Sequence, residues 1–331
     1  MNIEGWHYES HGNGRQRKKR AALAQMASLI VLLLAIIVMS VVAAVVLQRS
    51  RSHVRFSQWY NEDISFVTAF IDIGRHKWNE KQIHVERDVN YYVDSFAVLV
   101  KKLPLIAYVD ATMSLLLGRL DIPSWTTLRS VSDVDTFMKH EAEDQRIIDS
   151  EAYKHLIPAF RKNDPEHRSA AYCLVNHSKF NFVAHAAQQS SSKFVAWVDF
   201  GIASSSGQDL TILPPSRFDC SRFPEDMVTI QALAPPPATR LPPGAFIAEA
   251  NPRIAGGFFV MPTSLASTFE SIYKEFLVAW RAAGICDDDQ AALYEIWSHH
   301  PKLLNPIYKR SDRHHSMFFL WQEFLHHPFI K

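Results

Sequence analysis

The sequence predicts an α/β domain built on a mainly parallel sheet. Short runs of β-branched and aromatic residues alternate with helical periodicities, and two of these runs stop at an aspartate, Asp110 and Asp199. Runs apolar on both sides read as strands buried on both faces. In open α/β sheets ligands collect at the carboxyl ends of strands, so an acid at that position is placed to act.

The elements follow in order. Arg15, Arg17, Lys18, Lys19 and Arg20 form a basic cluster, and residues 21–48 then run without a charge. As a helix that stretch is about 42 Å long, more than the roughly 30 Å hydrocarbon core, and it exceeds the apolar region of a cleavable signal peptide. The expected organisation is a basic cytoplasmic tail at 1–20, a transmembrane signal anchor at 21–48, a polar stem at 49–62 and one domain over 63–331. The basic excess before the span places the tail in the cytoplasm.

Within the domain, strands are predicted at 64–73, 105–109, 170–175, 194–198, 227–233, 246–248 and 257–261. Helices are predicted at 85–102, 111–120, 133–160, 178–189 and 265–283, the last carrying Phe269, Ile272, Tyr273, Phe276 and Trp280 on one side and ending at Gly284. A further helix opens at the run Asp287-Asp288-Asp289-Gln290. Residues 204–226, with Ser204-Ser205-Ser206-Gly207 and Pro214-Pro215, read as loop.

Composition narrows the function classes. The 331 residues are 47% hydrophobic and 21% charged with a formal net charge of +1, which gives no electrostatic case for nucleic acid. Cys173, Cys220 and Cys286 form no CxxC pair, so neither a zinc site nor a redox motif is indicated. Among 16 histidines, His299-His300, His314-His315 and His326-His327 are adjacent pairs that point in different directions, and no HExxH occurs.

Three places invite chemistry, each beside a purely structural alternative. Asp199, following Phe194 to Val198, stands at a strand end or caps the next turn. The three aspartates 287–289 cap a helix, or their mutual repulsion raises a pKa and makes Asp288 or Asp289 a general base. Gly256-Gly257 lets backbone approach a ligand, or marks a strand bulge. Asp199-Phe200-Gly201 spells a kinase metal-binding tripeptide, but neither a Gly-rich phosphate loop nor an HRD-type loop precedes it. The sole Asn-x-Ser/Thr sequon, Asn176-His177-Ser178, is expected to stay unglycosylated because Asn176 ends the strand predicted at 170–175.

The stretch Phe66 to Arg75 with Trp78, then Ala196-Trp197-Val198-Asp199-Phe200-Gly201, Gly256-Gly257-Phe258 and Asp288-Asp289-Gln290-Ala291-Ala292-Leu293, resembles the HtrL/YibB family. Asn176 to Lys179 fits the same pattern as a polar element before a helix. That family is similar to nucleotide-sugar glycosyltransferases of the GT-A type, and the resemblance runs from Ile64 to Tyr308. It implies that Thr68, Ala69 and Phe70 face the nucleotide, with Arg75, Asp110 and Gln290 among the donor-binding positions. It also implies Asp199 near a divalent cation (manganese or magnesium) and diphosphate, Gly256 and Gly257 at the sugar, and Asp288 or Asp289 at the acceptor. One departure is that the Asp-x-Asp common in GT-A enzymes is replaced here by Asp199-Phe200-Gly201.

The expectation is therefore a single-pass, type II membrane glycosyltransferase of the Golgi or endoplasmic reticulum. It would carry a luminal GT-A-like domain, a nucleotide-sugar donor and a glycan or protein acceptor. The rivals are a silent sugar- or protein-binding module on the same anchor and a glycoside hydrolase using Asp199 with Asp289.

Overall fold

The computed structural model describes residues 26, 30, 31, 34–42, 63–75, 88–205, 220–248 and 253–308. The chain divides into two units, Met1–Gln58 and Trp59–Lys331. In the first, the described residues are helical and exposed, with Ile36, Ile37, Val38 and Met39 each more than half open. No helix of the described residues is long and apolar enough to cross a membrane. Most of the predicted anchor, the tail, the stem, Trp78 and the histidine pairs beyond residue 308 lie outside the described residues.

Among the described residues of the second unit, seven strands form one sheet in the order β3-β2-β1-β4-β6-β5-β7. They are β1 (Ile64–Phe70), β2 (Leu105–Val109), β3 (Thr127–Ser130), β4 (Phe194–Val198), β5 (Val228–Ala232), β6 (Ile254–Pro262) and β7 (Leu304–Tyr308). Only β6 runs against the rest; β1 pairs in parallel with both β2 and β4, and β4 pairs antiparallel with β6. The chain leaves β1 toward β2 and β3, then returns to place β4 on the other side of β1. That reversal is a topological switch point.

Alternation along the strands feeds two apolar cores. Phe66, Phe70, Ala196 and Val198 join helices α1 (Val89–Lys102) and α2 (Ala111–Leu117) on one face. Val67, Val195 and Trp197 join the other face, against α5 (Ala170–His177), α6 (Lys179–Gln188), α8 (Ala266–Ala282) and α9 (Asp289–His299). The remaining helices are α3 (Glu141–Asp149), α4 (Glu151–Leu156) and α7 (Ile202–Ser205).

Several expectations are corrected. Residues 170–175 are helix, not strand: Ser169 caps α5 by accepting from Tyr172 N, and a short apolar run does not by itself separate a buried strand from a helix. The helix predicted at 133–160 is broken, because Ser150 ends α3 and its Oγ caps α4 by accepting from Tyr153 N at 3.2 Å. Residues 246–248 form turn rather than strand. Edge strands β3 and β7 escaped the sequence reading for different reasons: β3 (TLRS) is short with one apolar residue, and in β7 (LNPIY) Asn305 and Pro306 interrupt the apolar run, a proline that an edge tolerates. The strand predicted at 64–73 ends at Phe70, and α1 begins only at Val89, where Asp88 accepts from Tyr91 N at 2.9 Å.

Candidate functional site

A cleft of about 200 Å³ opens at the carboxyl edges of β1 and β4, where the switch point lies. Ala69, Phe70 and Arg75 line it from β1 and beyond, Asp199 from β4, Gly256 and Gly257 from β6, and Asp289 and Gln290 from α9. Antiparallel β6 brings its first residues beside the last residues of β4, which is how the glycine pair reaches this edge.

At its floor sits a lysine. Lys179 opens α6 and is 4% exposed; its Nζ lies 3.2 Å from Asp199 Oδ1, 2.9 Å from Asp289 Oδ2 and 3.1 Å from the Gly256 carbonyl oxygen. Burial opposes its charge, but the two carboxylates outweigh burial and hold its pKa above the ordinary lysine value. Trp197, two residues before Asp199 and on the same strand, donates from Nε1 to Asp199 Oδ1 at 2.6 Å. Asp199 Oδ2 has no partner among the described residues, and the side chain is 38% exposed.

The tripeptide after β4 sorts its side chains. Asp199 turns to the cleft, while Phe200 stacks on Phe96 at 4.7 Å in the core. Gly201 lies under Tyr91 and Tyr92, whose rings a Cβ would meet at 3.0 and 3.1 Å. Asp199 does not cap the turn: its backbone oxygen accepts from Ile202 N, while its carboxylate faces Lys179 and Trp197.

The glycine pair does form a bulge. Register with β5 shifts between Ile230 and Gln231, the Gly256 carbonyl accepts from Lys179 Nζ, and the Gly257 carbonyl accepts from Asp199 N just past β4. A Cβ on Gly256 would stand against Asp289 Oδ2 and 3.1 Å from its Cγ, so the bare backbone makes room for a carboxylate of the chain itself.

The three aspartates divide three tasks. Asp287 is buried, accepts from Asp288 N, and offers its backbone oxygen to His177 Nε2 at 2.9 Å; burial holds its carboxyl well above the usual range. Asp288 caps α9, its Oδ1 accepting from Gln290 N and Ala291 N. Asp289 reaches Lys179. Burial, more than mutual repulsion, pushes Asp288 and Asp289 up to about 6.

Three expected site residues fall outside the cleft lining. Thr68 is fully buried in β1. Asp110 is a staple: its Oδ1 accepts from Met113 N at the start of α2, and its Oδ2 accepts from Asp72 N beyond β1. Asp288 is the cap just described. Conversely, Lys179, Tyr92 and Tyr172 are part of the lining, and the Arg75 guanidinium lies 5.0 Å from the Tyr92 ring centroid and 5.7 Å from that of Tyr172. The polar Asn–Lys element before a helix was the one signal for Lys179; nothing in the sequence marks the tyrosines.

The donor set in the cleft does not suit a divalent cation. The position between its two carboxylates belongs to an ammonium, which leaves Asp199 Oδ2 as the open oxygen on that residue. Among the described residues the one acidic and histidine cluster of suitable spacing is Asp164, Glu166 and His167, away from the cleft lining. Both of its carboxylates are bound by Arg161, at 3.0 and 2.5 Å. All three cysteines are buried.

These features define an α/β protein with a mostly parallel, mixed sheet and a carboxyl-edge cleft floored by one lysine between two aspartates. The family described as "bacterial protein of unknown function (HtrL_YibB)" matches residues 62–319, and the chain belongs to it. A comparison with curated proteins finds no match. Among solved structures, that of 4-diphosphocytidyl-2C-methyl-D-erythritolsynthase from Anaerococcus prevotii is similar at 10% identity. It covers 78% of this chain and 96% of that one, with a TM-score of 0.33.

Proposed function

We propose that this chain is a membrane-anchored, GT-A-like glycosyltransferase that moves a sugar from a nucleotide-sugar donor to a hydroxyl of a glycan or protein. The observation that carries the reading is the placement of the Lys179–Asp199–Asp289 cluster at the switch point between β1 and β4. In the reaction, the acceptor oxygen bonds to the anomeric carbon as the bond from that carbon to the diphosphate breaks, and the acceptor proton leaves to a base. Asp199 suits the base, since its Oδ2 is open while Asp289 is 2% exposed and held by Lys179. This reverses the roles expected from the sequence. Arg75, with its guanidinium 5.0 and 5.7 Å from the ring centroids of Tyr92 and Tyr172, suits the leaving diphosphate, which a guanidinium fork binds in two places. Ala69 and Phe70 form the wall on the nucleotide side, and the glycine bulge the wall on the sugar side.

The apolar composition of residues 21–48 and the basic cluster before it support a type II anchor, with the domain in the lumen of the Golgi or endoplasmic reticulum. The test is nucleotide-sugar affinity by calorimetry together with turnover per folded molecule for Asp199→Asn and Asp289→Asn. Asp199→Asn should lower turnover about 10²–10⁴-fold with affinity nearly kept, the usual share of a positioned base. Wild-type turnover in both variants would end the roles given to these carboxylates, nucleotide-sugar binding without turnover in the wild type would point to a silent binding module, and absence of nucleotide-sugar binding would end the transferase reading.

A further inference from the structure

We infer that Lys179 is the built-in cation of this site, a positioning residue that joins Asp199 to Asp289 where a divalent ion would otherwise sit. The inference deepens the transferase reading and rests on the same cleft. Local physics disfavours a charged lysine at this place. It is the first residue of α6, where the helix dipole repels cations, and it is almost fully buried. A residue that violates both rules persists where the surroundings hold it. Here three acceptors on three different elements engage the ammonium's three donors: Asp199 after β4, Asp289 on α9 and the Gly256 carbonyl on β6.

The neighbouring sequence is adapted to that ion. Gly256 lacks the Cβ that would displace Asp289 Oδ2, and its bulged carbonyl turns to Nζ. Trp197 Nε1 fixes the same Asp199 oxygen that Lys179 holds, and the Trp197 ring centroid lies 6.0 Å from Nζ. With all its donors engaged, Lys179 does not contact the diphosphate; it aims the open Oδ2 of Asp199 into the cleft. The consequence is a site whose paired carboxylates need no metal, and which becomes a metal site when the lysine is removed.

The experiment measures manganese binding to the full-length protein by electron paramagnetic resonance and by thermal shift. Wild type is expected to take up no manganese at the cleft, and its nucleoside-diphosphate affinity should be the same with chelator as with manganese. Lys179→Met, which keeps the length of the stem, should gain a manganese site and a concentration-dependent rise in Tm. The double variant Lys179→Met/Asp199→Asn should lose both gains. A purely structural lysine would lower Tm without creating a manganese site, and that result overturns the inference. Manganese uptake by wild type that Asp199→Asn abolishes overturns it as well, and this arm needs no variant lacking Lys179. The manganese readout uses no sugar donor, so absent donor binding sinks the transferase reading and leaves this result standing.

Discussion

A methyl group on Gly256 would occupy the space of the Asp289 carboxylate, so this one position links backbone shape to site charge. Gly256→Ala should move Asp289 off Lys179 and cost about 1–3 kcal/mol by overpacking, read as a lower urea midpoint, with turnover falling further than stability. An unchanged midpoint with full turnover would show that the carboxylate has another place to go. The pH dependence also belongs to Asp289. Its folded pKa, about 6, lies above its unfolded value, mainly through burial. Its contribution to stability is therefore complete below the unfolded pKa and is lost as pH rises through about 6. Activity should run the other way, rising through about 6 as Asp289 ionises and secures Lys179. Asp288 titrates in the same range, so the observed steps belong to the pair. Asp289→Asn should flatten both profiles, as measured by Tm and kcat/KM from pH 5 to 8; an unaltered acid limb would assign it to another group.

At the scale of the element, α5 changes the reason for a prediction while keeping its outcome. Asn176 sits in the last turn of a helix, lines the cleft, and donates from Nδ2 to the Tyr172 backbone oxygen at 3.1 Å. Glycosylation needs that amide free in an accessible segment, so the sequon should remain bare in cells that glycosylate luminal proteins. A glycosidase-sensitive mass shift that disappears in Asn176→Gln would contradict this placement. The error over residues 170–175 has a plain cause. The strand rested on the short apolar run 170–175, which by itself fits a buried strand as well as a buried helix, whereas the residues that pack inward, Ala170, Cys173, Leu174 and His177, follow helical spacing. The cap at Ser169 was the local signal for helix.

At the scale of the molecule, residues 1–58 and 59–331 are separate compact units. A chain starting at Trp59 should therefore keep the Tm and nucleotide-sugar affinity of the full-length protein, measured side by side. A drop in either would mean that the cleft depends on the first unit. The charge asymmetry around residues 21–48 predicts that sealed microsomes protect the second unit from protease, and digestion of that unit would invert the topology.

The sequence by itself determined what local chemistry can determine. The run ending at Val198 with Asp199 after it, the glycine pair 256–257, the capped start at Asp288 and the uncharged stretch 21–48 are each set by neighbouring residues. Alternation of strands and helices was likewise enough for an α/β domain with a mainly parallel sheet. Only the tertiary structure decided which of these meet. Lys179 and Asp289 stand 110 residues apart and touch because α6 and α9 both begin over the β4–β6 boundary, and β6 runs backward there. The same packing takes Thr68 into the sheet and sets Asp110 to joining strand ends. A side chain's role in this cleft depends on which face and which edge it reaches, and those follow from the order of strands across the sheet, which no local pattern encodes.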